Sequence, residues 1–184
     1  MSRDGGTWFG LHERTKPLVQ AGLLLGVGLG GFFDGIVFHQ ILQWHQMLSA
    51  HPDPSIATDM HLNMFADGVF HLVTWSFTIG GVVLLWRAWR LPNVPPSGRV
   101  LFGSAIVGWG LFNLVEGTVN HFLLGIHHVW PEGPGGVLLW DVAFLVWGLL
   151  FLVGGYAIVR SADAASPTPT RAQSQTAEEP EVDD

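Results

Sequence analysis

The sequence predicts an all-α membrane protein whose four transmembrane helices form two consecutive helical hairpins. Three observations support this prediction: the low charge, the positive mean hydropathy and the presence of four long apolar stretches. Only 12% of the 184 residues are charged, 48% are hydrophobic, and the mean hydropathy is +0.35. Because an average globular domain has about 25% charged residues, this composition is typical of an integral membrane protein.

Four apolar stretches reach the roughly 20 residues that cross the hydrocarbon core of a bilayer. The predicted spans are residues 17–40, 64–86, 100–126 and 136–159. Together they form a transmembrane domain over residues 17–160, which follows a largely polar N-terminal segment, residues 1–16. Residues 161–184 carry six acids and one arginine among Ser, Thr, Pro and Ala, which predicts a disordered acidic tail. The first span is too long for the apolar region of a signal peptide.

Positive charges predict the orientation of the spans in the plasma membrane. Arg3, Arg14 and Lys16 precede the first span, and three arginines lie between the second and third spans. The other two connections contain neither Lys nor Arg. The positive-inside rule therefore places both termini in the cytoplasm and the first and third connections outside the cell.

The composition also excludes several classes of function. The chain has no cysteine, so it can form neither a disulfide nor a thiolate metal site, and it has no cysteine nucleophile. The formal net charge is −7 and no basic stripe is present, so nucleic acid is not expected as a partner. The lipid bilayer is the expected partner, and the sequence leaves open whether the protein forms a homo-oligomer.

The chain resembles itself at two offsets, which predicts a duplicated helical hairpin. At an offset of 82 residues the first span aligns with the third, with matches at Gly26/Gly108, Gly28/Gly110, Gly35/Gly117, His39/His121 and His45/His127, and with Asp34 opposite Glu116. At an offset of 74 the second span aligns with the fourth, with matches at Asp67/Asp141, Phe70/Phe144 and Gly81/Gly155. Two such hairpins would be related by a pseudo-two-fold axis along the membrane normal.

Ionisable residues inside the spans recur as an acid, a glycine and then a histidine. The copies are Asp34-Gly35 with His39, Asp67-Gly68 with His71, and Glu116-Gly117 with His121. Each such residue costs at least a few kcal/mol within a bilayer, so its presence indicates a function. The predicted topology places all of them in the outer half of the membrane. A single water-accessible site near the outer face would explain this common depth.

These residues are candidate ligands of a transition metal ion. The candidate ligands are His39, His45, His71, His121, His127, His128, Asp34, Asp67 and Glu116, and the candidate supporting residues are Asn113, Asn120 and Asp141. Imidazole with carboxylate suits iron, zinc or copper(II). The thioethers of Met47, Met60 and Met64, in or beside the first outer connection, favour copper.

The spacing leaves one geometric question open. Asp67 and His71 are four residues apart and share one face of an α-helix. In the first and third spans the acid and the histidine are five residues apart, about 140° around an ideal α-helix. Either a local bulge brings the acid and the histidine together, or the two groups serve adjacent sites.

Three segments resemble the signatures of a known family. They are GFFDGIVFHQILQWHQMLS (residues 31–49), ADGVFHLVTW (residues 66–75) and GWGLFNLVEGTVNHFLLGIHHVW (residues 108–130). They resemble the domain-of-unknown-function 2243 family, small predicted membrane proteins of bacteria and archaea, over about residues 15–160. The resemblance implies four spans, and it implies a copper or haem context because relatives resemble partners of proteins that assemble terminal oxidases. Gln46 stands where the family often has a second histidine, so one ligand at the rim is expected to be missing.

Three alternative functions follow. The favoured one is a metal-handling protein that binds copper and assists the assembly of a respiratory oxidase. The second is an oxidoreductase, with a dinuclear metal centre in a four-helix bundle or with b-type haem held by His39 and His121. The third is a structural or proton-handling subunit without a metal, although the apolar cytoplasmic halves of the spans disfavour a complete proton path. The sequence identifies no catalytic residue and leaves open whether the protein is an enzyme.

Overall fold

The computed structural model describes residues 7–8 and 10–165. Within them lie a short antiparallel strand pair, β1 (Thr7–Trp8) and β2 (Leu11–His12), a 3₁₀ turn (Glu13–Thr15), and five α-helices, α1 (Lys16–Phe33), α2 (Pro54–Ala57), α3 (Met60–Trp89), α4 (Gly98–Glu116) and α5 (Val137–Ala164). Two π-helical segments continue the helices: Asp34–Ile41 follows α1, and Gly117–Leu123 follows α4.

Four helical stretches of the described chain are long and apolar enough to cross a membrane. They are Glu13–Ile41, Met60–Trp89, Gly98–Leu123 and Val137–Ala164. The predicted all-α class with four membrane-spanning helices is therefore confirmed. Helices α3 and α4 begin at capping side chains, because Asp59 accepts a hydrogen bond from Leu62 N–H and Ser97 accepts one from Val100 N–H.

Helices α1 and α4 form the centre of the bundle, with α3 packed on α1 and α5 packed on α4. Half of the residues in the apolar stretches that contain α1 and α4 are buried, against 11% for α3 and 22% for α5. Glycines allow the backbones to approach closely, as small residues do in membrane helix pairs. Gly26 packs on the carbonyl oxygen of Ala105, and Gly108 packs on the carbonyl oxygen of Leu23.

The end of α5 differs from the prediction. The helix continues to Ala164, so the first residues of the predicted tail are helical. Asp163 is buried there because its carboxylate accepts hydrogen bonds from the hydroxyl of Thr15 and from the backbone N–H of His12. Residues 1–6, 9 and 166–184, including the rest of the predicted disordered tail, lie outside the described residues.

Candidate metal centre

The two π-helical segments carry the predicted ligands His39 and His121; Asp34 is the first residue of the first segment, and Glu116 immediately precedes the second. In each segment a backbone hydrogen bond spans five residues: Leu42 N–H donates to the Val37 carbonyl and Leu124 N–H donates to the Val119 carbonyl, both at 2.8 Å. Because this bonding pattern widens the helical turn, residues five apart lie on the same face. The local bulge, one of the two arrangements that the spacing allowed, is therefore present, and it brings Asp34 to His39 and Glu116 to His121.

In the first segment, Asp34 and His39 meet inside the bundle. Oδ2 of Asp34 lies 3.3 Å from Nε2 of His39, and both side chains are buried. The other ring nitrogen, Nδ1, lies 2.9 Å from Oδ1 of Asp67 on α3. Because a carboxylate only accepts hydrogen bonds, Nδ1 carries the proton, and Nε2 faces Asp34.

The second segment repeats this arrangement with Glu116 and His121. Oε1 of Glu116 lies 3.4 Å from Nε2 of His121, and Nδ1 of His121 lies 3.5 Å from Oδ1 of Asp141 on α5. The same Oε1 lies 2.8 Å from Nε2 of His127, which follows the segment. Each π-segment histidine therefore lies between an acid of its own helix and an acid of the next long helix.

The connections after the π-helical segments supply His45 and His127, and each is held by the backbone of the other connection. Nδ1 of His45 donates to the Val129 carbonyl at 2.8 Å, and Nδ1 of His127 donates to the Met47 carbonyl at 3.0 Å. Because a carbonyl oxygen only accepts, both rings are protonated at Nδ1. Nε2 of His45 has no partner in the described chain and is free to act as a donor to a metal, whereas Nε2 of His127 lies against Glu116. Ligating histidines in metalloproteins usually donate their other N–H in this way.

The backbone N–H groups of the same two connection residues hold the acids of α3 and α5. Met47 N–H donates to Oδ1 of Asp67 at 2.9 Å, and Val129 N–H donates to Oδ1 of Asp141 at 3.0 Å. Each of these residues therefore orients a histidine with its carbonyl and an acid with its N–H. This double use fixes the connections against the helix ends.

The four buried imidazole rings form one compact group. The rings of His45 and His127 are stacked at its centre, with centroids 4.8 Å apart and an interplanar angle of 4°. The His39 centroid lies 4.4 Å from that of His45, and the His121 centroid lies 4.9 Å from that of His127. We call these rings and the four acids around them the histidine–acid cluster; its members are His39, His45, His121, His127, Asp34, Asp67, Glu116 and Asp141.

Several buried atoms of the histidine–acid cluster have no hydrogen-bond partner within the described part of the chain. They are Oδ2 of Asp34, Nε2 of His39, Nε2 of His45, Oε2 of Glu116 and Nδ1 of His121. Two groups of three donors have their ligand atoms within 4.8 Å of one another: His39, His45 and His127, and Glu116, His121 and His127. The cluster could therefore hold a metal ion.

The helices that carry the acids of the cluster contain no lysine or arginine near them. The sequence contains no Lys or Arg in residues 17–86 or 100–159, and none is buried among the described residues. Carboxylates removed from water need a cation or a proton nearby, since an isolated buried charge is very costly. The neighbouring histidines and bound cations are therefore the available sources of positive charge.

His45 lies in the first connection, outside the helices that are long enough to span a membrane. Burial, together with the nearby His127 and His39, holds the pKa of its imidazole well below the usual range. The ring is therefore neutral at pH 7, which is the form that binds metal ions.

Two of the other predicted residues, His128 and Asn120, hydrogen-bond to the cluster. His128 is partly exposed, and its Nδ1 lies 2.8 Å from Oδ2 of Asp141. The amide of Asn120 donates to Oε1 of Glu116 at 3.2 Å, as expected of a supporting residue. Asn113 is buried against α5, and its amide nitrogen has no partner among the described residues, so it does not hydrogen-bond to the cluster through that atom.

Asp67 and His71 do not pair through their side chains. The carboxylate of Asp67 points to His39 on the first π-helical segment, and Nδ1 of His71 donates to the backbone carbonyl of Asp67 at 2.8 Å. The His71 ring packs against Gly35, where an added Cβ would lie 2.6 Å from Nε2. Spacing along one helix could not reveal this, because the partner of Asp67 lies on another helix.

Sequence reasoning missed the backbone groups that orient the connection histidines. Met47 and Val129 are apolar residues, and their role lies in the carbonyl and N–H groups that every such residue has. A signal was present, because the two positions are 82 residues apart, as are His45 and His127. Gln40 was also missed; its amide donates to Oδ2 of Asp67 at 3.4 Å.

Comparison with known proteins identifies a family. Neither a curated protein nor a solved structure matches the chain. The family model described as "Predicted membrane protein (DUF2243)" matches residues 21–162, a range that includes the whole histidine–acid cluster. The match covers well over half of the chain and agrees with the four apolar helices. The chain therefore belongs to the domain-of-unknown-function 2243 family of predicted membrane proteins.

Proposed function

We propose that the protein binds transition metal ions in the histidine–acid cluster, which faces the outside of the cell in the predicted topology. Four buried atoms that could bind a metal ion lack a hydrogen-bond partner in the described chain: Oδ2 of Asp34, Nε2 of His39, Nε2 of His45 and Oε2 of Glu116. The supporting observation is that these atoms belong to a cluster in which two groups of three donors have ligand atoms within 4.8 Å of one another. A buried polar group left unsatisfied costs about 1–3 kcal/mol, and a charged one costs more. A bound cation removes this cost for several donors at once.

A metal-free alternative pairs the four carboxylates with protonated histidines. It would place imidazolium rings against one another, because the centroids of His45 and His127 are 4.8 Å apart and each has a further ring within 5 Å. Like charges at such separations repel strongly where water is excluded. Metal binding avoids this repulsion because ligating imidazoles are neutral.

The donor types favour copper(II), iron or zinc. Imidazole with carboxylate suits all three ions. The thioethers of Met60 and Met64 do not contribute to the cluster, since these residues are 61% and 60% exposed. Copper, and its transfer to a terminal oxidase or its assembly proteins, is therefore proposed from the imidazole donors and from the family resemblance.

A dinuclear-metal oxidoreductase is the second candidate function, and the π-helical segments favour it. The spacing of five between acid and histidine, which is unfavourable on an α-helix, places both side chains on one face of a π-helix. Every member of the cluster is less than 7% exposed, so a substrate would have to be as small as oxygen. Haem held by His39 and His121 is disfavoured, because the rings of His45 and His127 pack between them.

Metal analysis of the full-length protein tests the proposal. We expect protein purified in detergent without a histidine tag to contain copper, iron or zinc, and to contain less of it in His121→Ala. His61→Ala is the matched control, because His61 is exposed at the start of α3 and should not affect the metal content. Far-UV circular dichroism and gel filtration of both variants confirm that the fold is kept.

Two outcomes would decide against these functions. Wild-type protein that contains no metal and takes up no added Cu⁺, Cu²⁺, Fe²⁺ or Zn²⁺ refutes the proposed function. Metal-loaded protein that consumes no oxygen in the presence of a reductant refutes the oxidoreductase and leaves metal binding in place.

A further inference from the structure

Six of the eight members of the histidine–acid cluster form two donor sets, and corresponding residues of the two sets are 82 positions apart in the sequence. The first set is Asp34, His39 and His45, and the second set is Glu116, His121 and His127. We infer that the cluster binds two divalent metal ions, one in each set, and that the second set binds its ion more weakly. This inference rests on the proposed function and specifies its stoichiometry.

The two sets have equivalent surroundings. The acid oxygen lies 3.3 Å from Nε2 of the π-segment histidine in the first set and 3.4 Å in the second. The connection histidines donate through Nδ1 to backbone carbonyls at 2.8 and 3.0 Å. The helix contacts also correspond, since Gly26 packs on Ala105 and Gly108 packs on Leu23. These matches support the predicted duplication and favour an ion in each set.

A single metal ion shared between the two sets would not bind all of the available donor atoms. His127 belongs to both groups of closely spaced donors, but its Nδ1 is engaged with the carbonyl of Met47, so it offers only Nε2. One imidazole nitrogen has one lone pair and binds one ion. Nε2 of His127 lies 2.8 Å from Glu116 and so belongs to the second set. The first set is then completed by Asp34, whose Oδ2 has no partner in the described chain.

The charge of the cluster also fits two ions. Asp34, Asp67, Glu116 and Asp141 are all at least 94% buried, and together they carry four negative charges when ionised. Two divalent ions neutralise four carboxylates while all four histidines stay neutral. One divalent ion would leave two buried negative charges without a metal counter-ion, which is strongly unfavourable inside a membrane protein.

The two sets differ by one methylene group. The longer side chain of Glu116 reaches Nε2 of His127 at 2.8 Å. With the shorter Asp34, Nε2 of His39 and Nε2 of His45 have no hydrogen-bond partner among the described residues. An ion in the second set must replace the Glu116–His127 hydrogen bond and release its proton, whereas the donors of the first set lose no such bond. The first set is therefore the tighter one.

Titration of the full-length protein with Co²⁺ tests the inference. The protein is stripped of metal with a chelator in detergent, and Co²⁺ binding is followed by visible absorption and by elemental analysis after dialysis. We expect two equivalents, with the second bound at least tenfold more weakly. Asp34→Asn should keep only the weaker equivalent, and Glu116→Gln should keep only the tighter one. Glu132→Gln, which changes an exposed acid of the third connection, should keep both.

The outcomes separate the inference from the proposed function. One equivalent in the wild type, lost in either variant, overturns the two-ion inference and leaves metal binding in place. No uptake of Co²⁺, Zn²⁺, Fe²⁺, Cu²⁺ or Cu⁺ overturns both. If a variant fails to fold, the electron paramagnetic resonance spectrum of the wild type loaded with Cu²⁺ tests the inference instead. Spin coupling between neighbouring ions supports two ions. An uncoupled spectrum at saturation overturns the inference.

Discussion

The contact between α1 and α4 sets the relative position of the two π-helical segments, and Gly26 lies at a tight point of it. A Cβ added at Gly26 would overlap the backbone carbonyl of Ala105 and lie 2.8 Å from the backbone nitrogen of Trp109. Because these are backbone atoms, they cannot move away by a change of rotamer. We therefore expect Gly26→Ala to force the two helices apart.

The expected changes in the free energy of unfolding follow from the contacts of Gly26 and Gly154. Overpacking a well-packed interior costs about 1–3 kcal/mol, so Gly26→Ala should lower the free energy of unfolding by that amount. Gly154 on α5 is the matched control, because an added Cβ there would meet nothing within 4 Å. Alanine is favoured over glycine within a helix by roughly 0.5–1 kcal/mol, so Gly154→Ala should raise the free energy of unfolding by that amount.

Equilibrium unfolding in mixed detergent micelles, followed by far-UV circular dichroism, measures both variants against the wild type. Co²⁺ titration of the folded variants gives a second readout, since α1 and α4 each lead into one donor set. We expect weaker Co²⁺ binding for Gly26→Ala and unchanged binding for Gly154→Ala. If Gly26→Ala is as stable as the wild type, or if both variants lose the same stability, then the close contact does not hold the bundle together.

Two further predictions concern pH and the methionines. Because the pKa of His45 is held well below its usual value, the unfolded chain takes up a proton near pH 6.5 that the folded chain does not; the metal-free protein should therefore lose stability as the pH falls below about 6.5. Thermal unfolding between pH 7.5 and 5.5 should show a smaller loss for His45→Gln, and an equal loss would contradict this reasoning. Because Met60 and Met64 are exposed outside the cluster, changing both to Leu should leave the amount of bound metal unchanged. If elemental analysis shows that the double variant has lost metal, then the thioethers do take part in binding it.

Much of the fold could be predicted because it depends on composition and length. Four apolar stretches without internal Lys or Arg have one stable arrangement in a bilayer, where each backbone must satisfy its own hydrogen bonds within a helix. The span limits agree with the helices to within five residues. The largest difference is the extension of α5 to Ala164, because the burial of Asp163 against Thr15 depends on a contact between the two ends of the chain.

The sequence predicted most of the residues of the candidate site, but not which of them are in contact. Seven of the nine candidate ligands belong to the histidine–acid cluster, because a costly residue inside a span signals a function wherever it points. His71 and His128 lie beside it. Asp67 pairs with His39 from another helix, and such a partner cannot be read from spacing along one helix.

The sequence by itself determined the membrane class, the four helices, the acids and histidines near one end of the bundle, and the residues that correspond at an offset of 82. The tertiary structure decided which atoms meet. The π-helical turns bring Asp34 to His39 and Glu116 to His121, and the crossing of the two connections turns Nε2 of His127 toward Glu116. The physical reason is that these contacts depend on a change from α-helical to π-helical turns and on the backbone carbonyls of distant residues. No particular residue type in the sequence marks either feature.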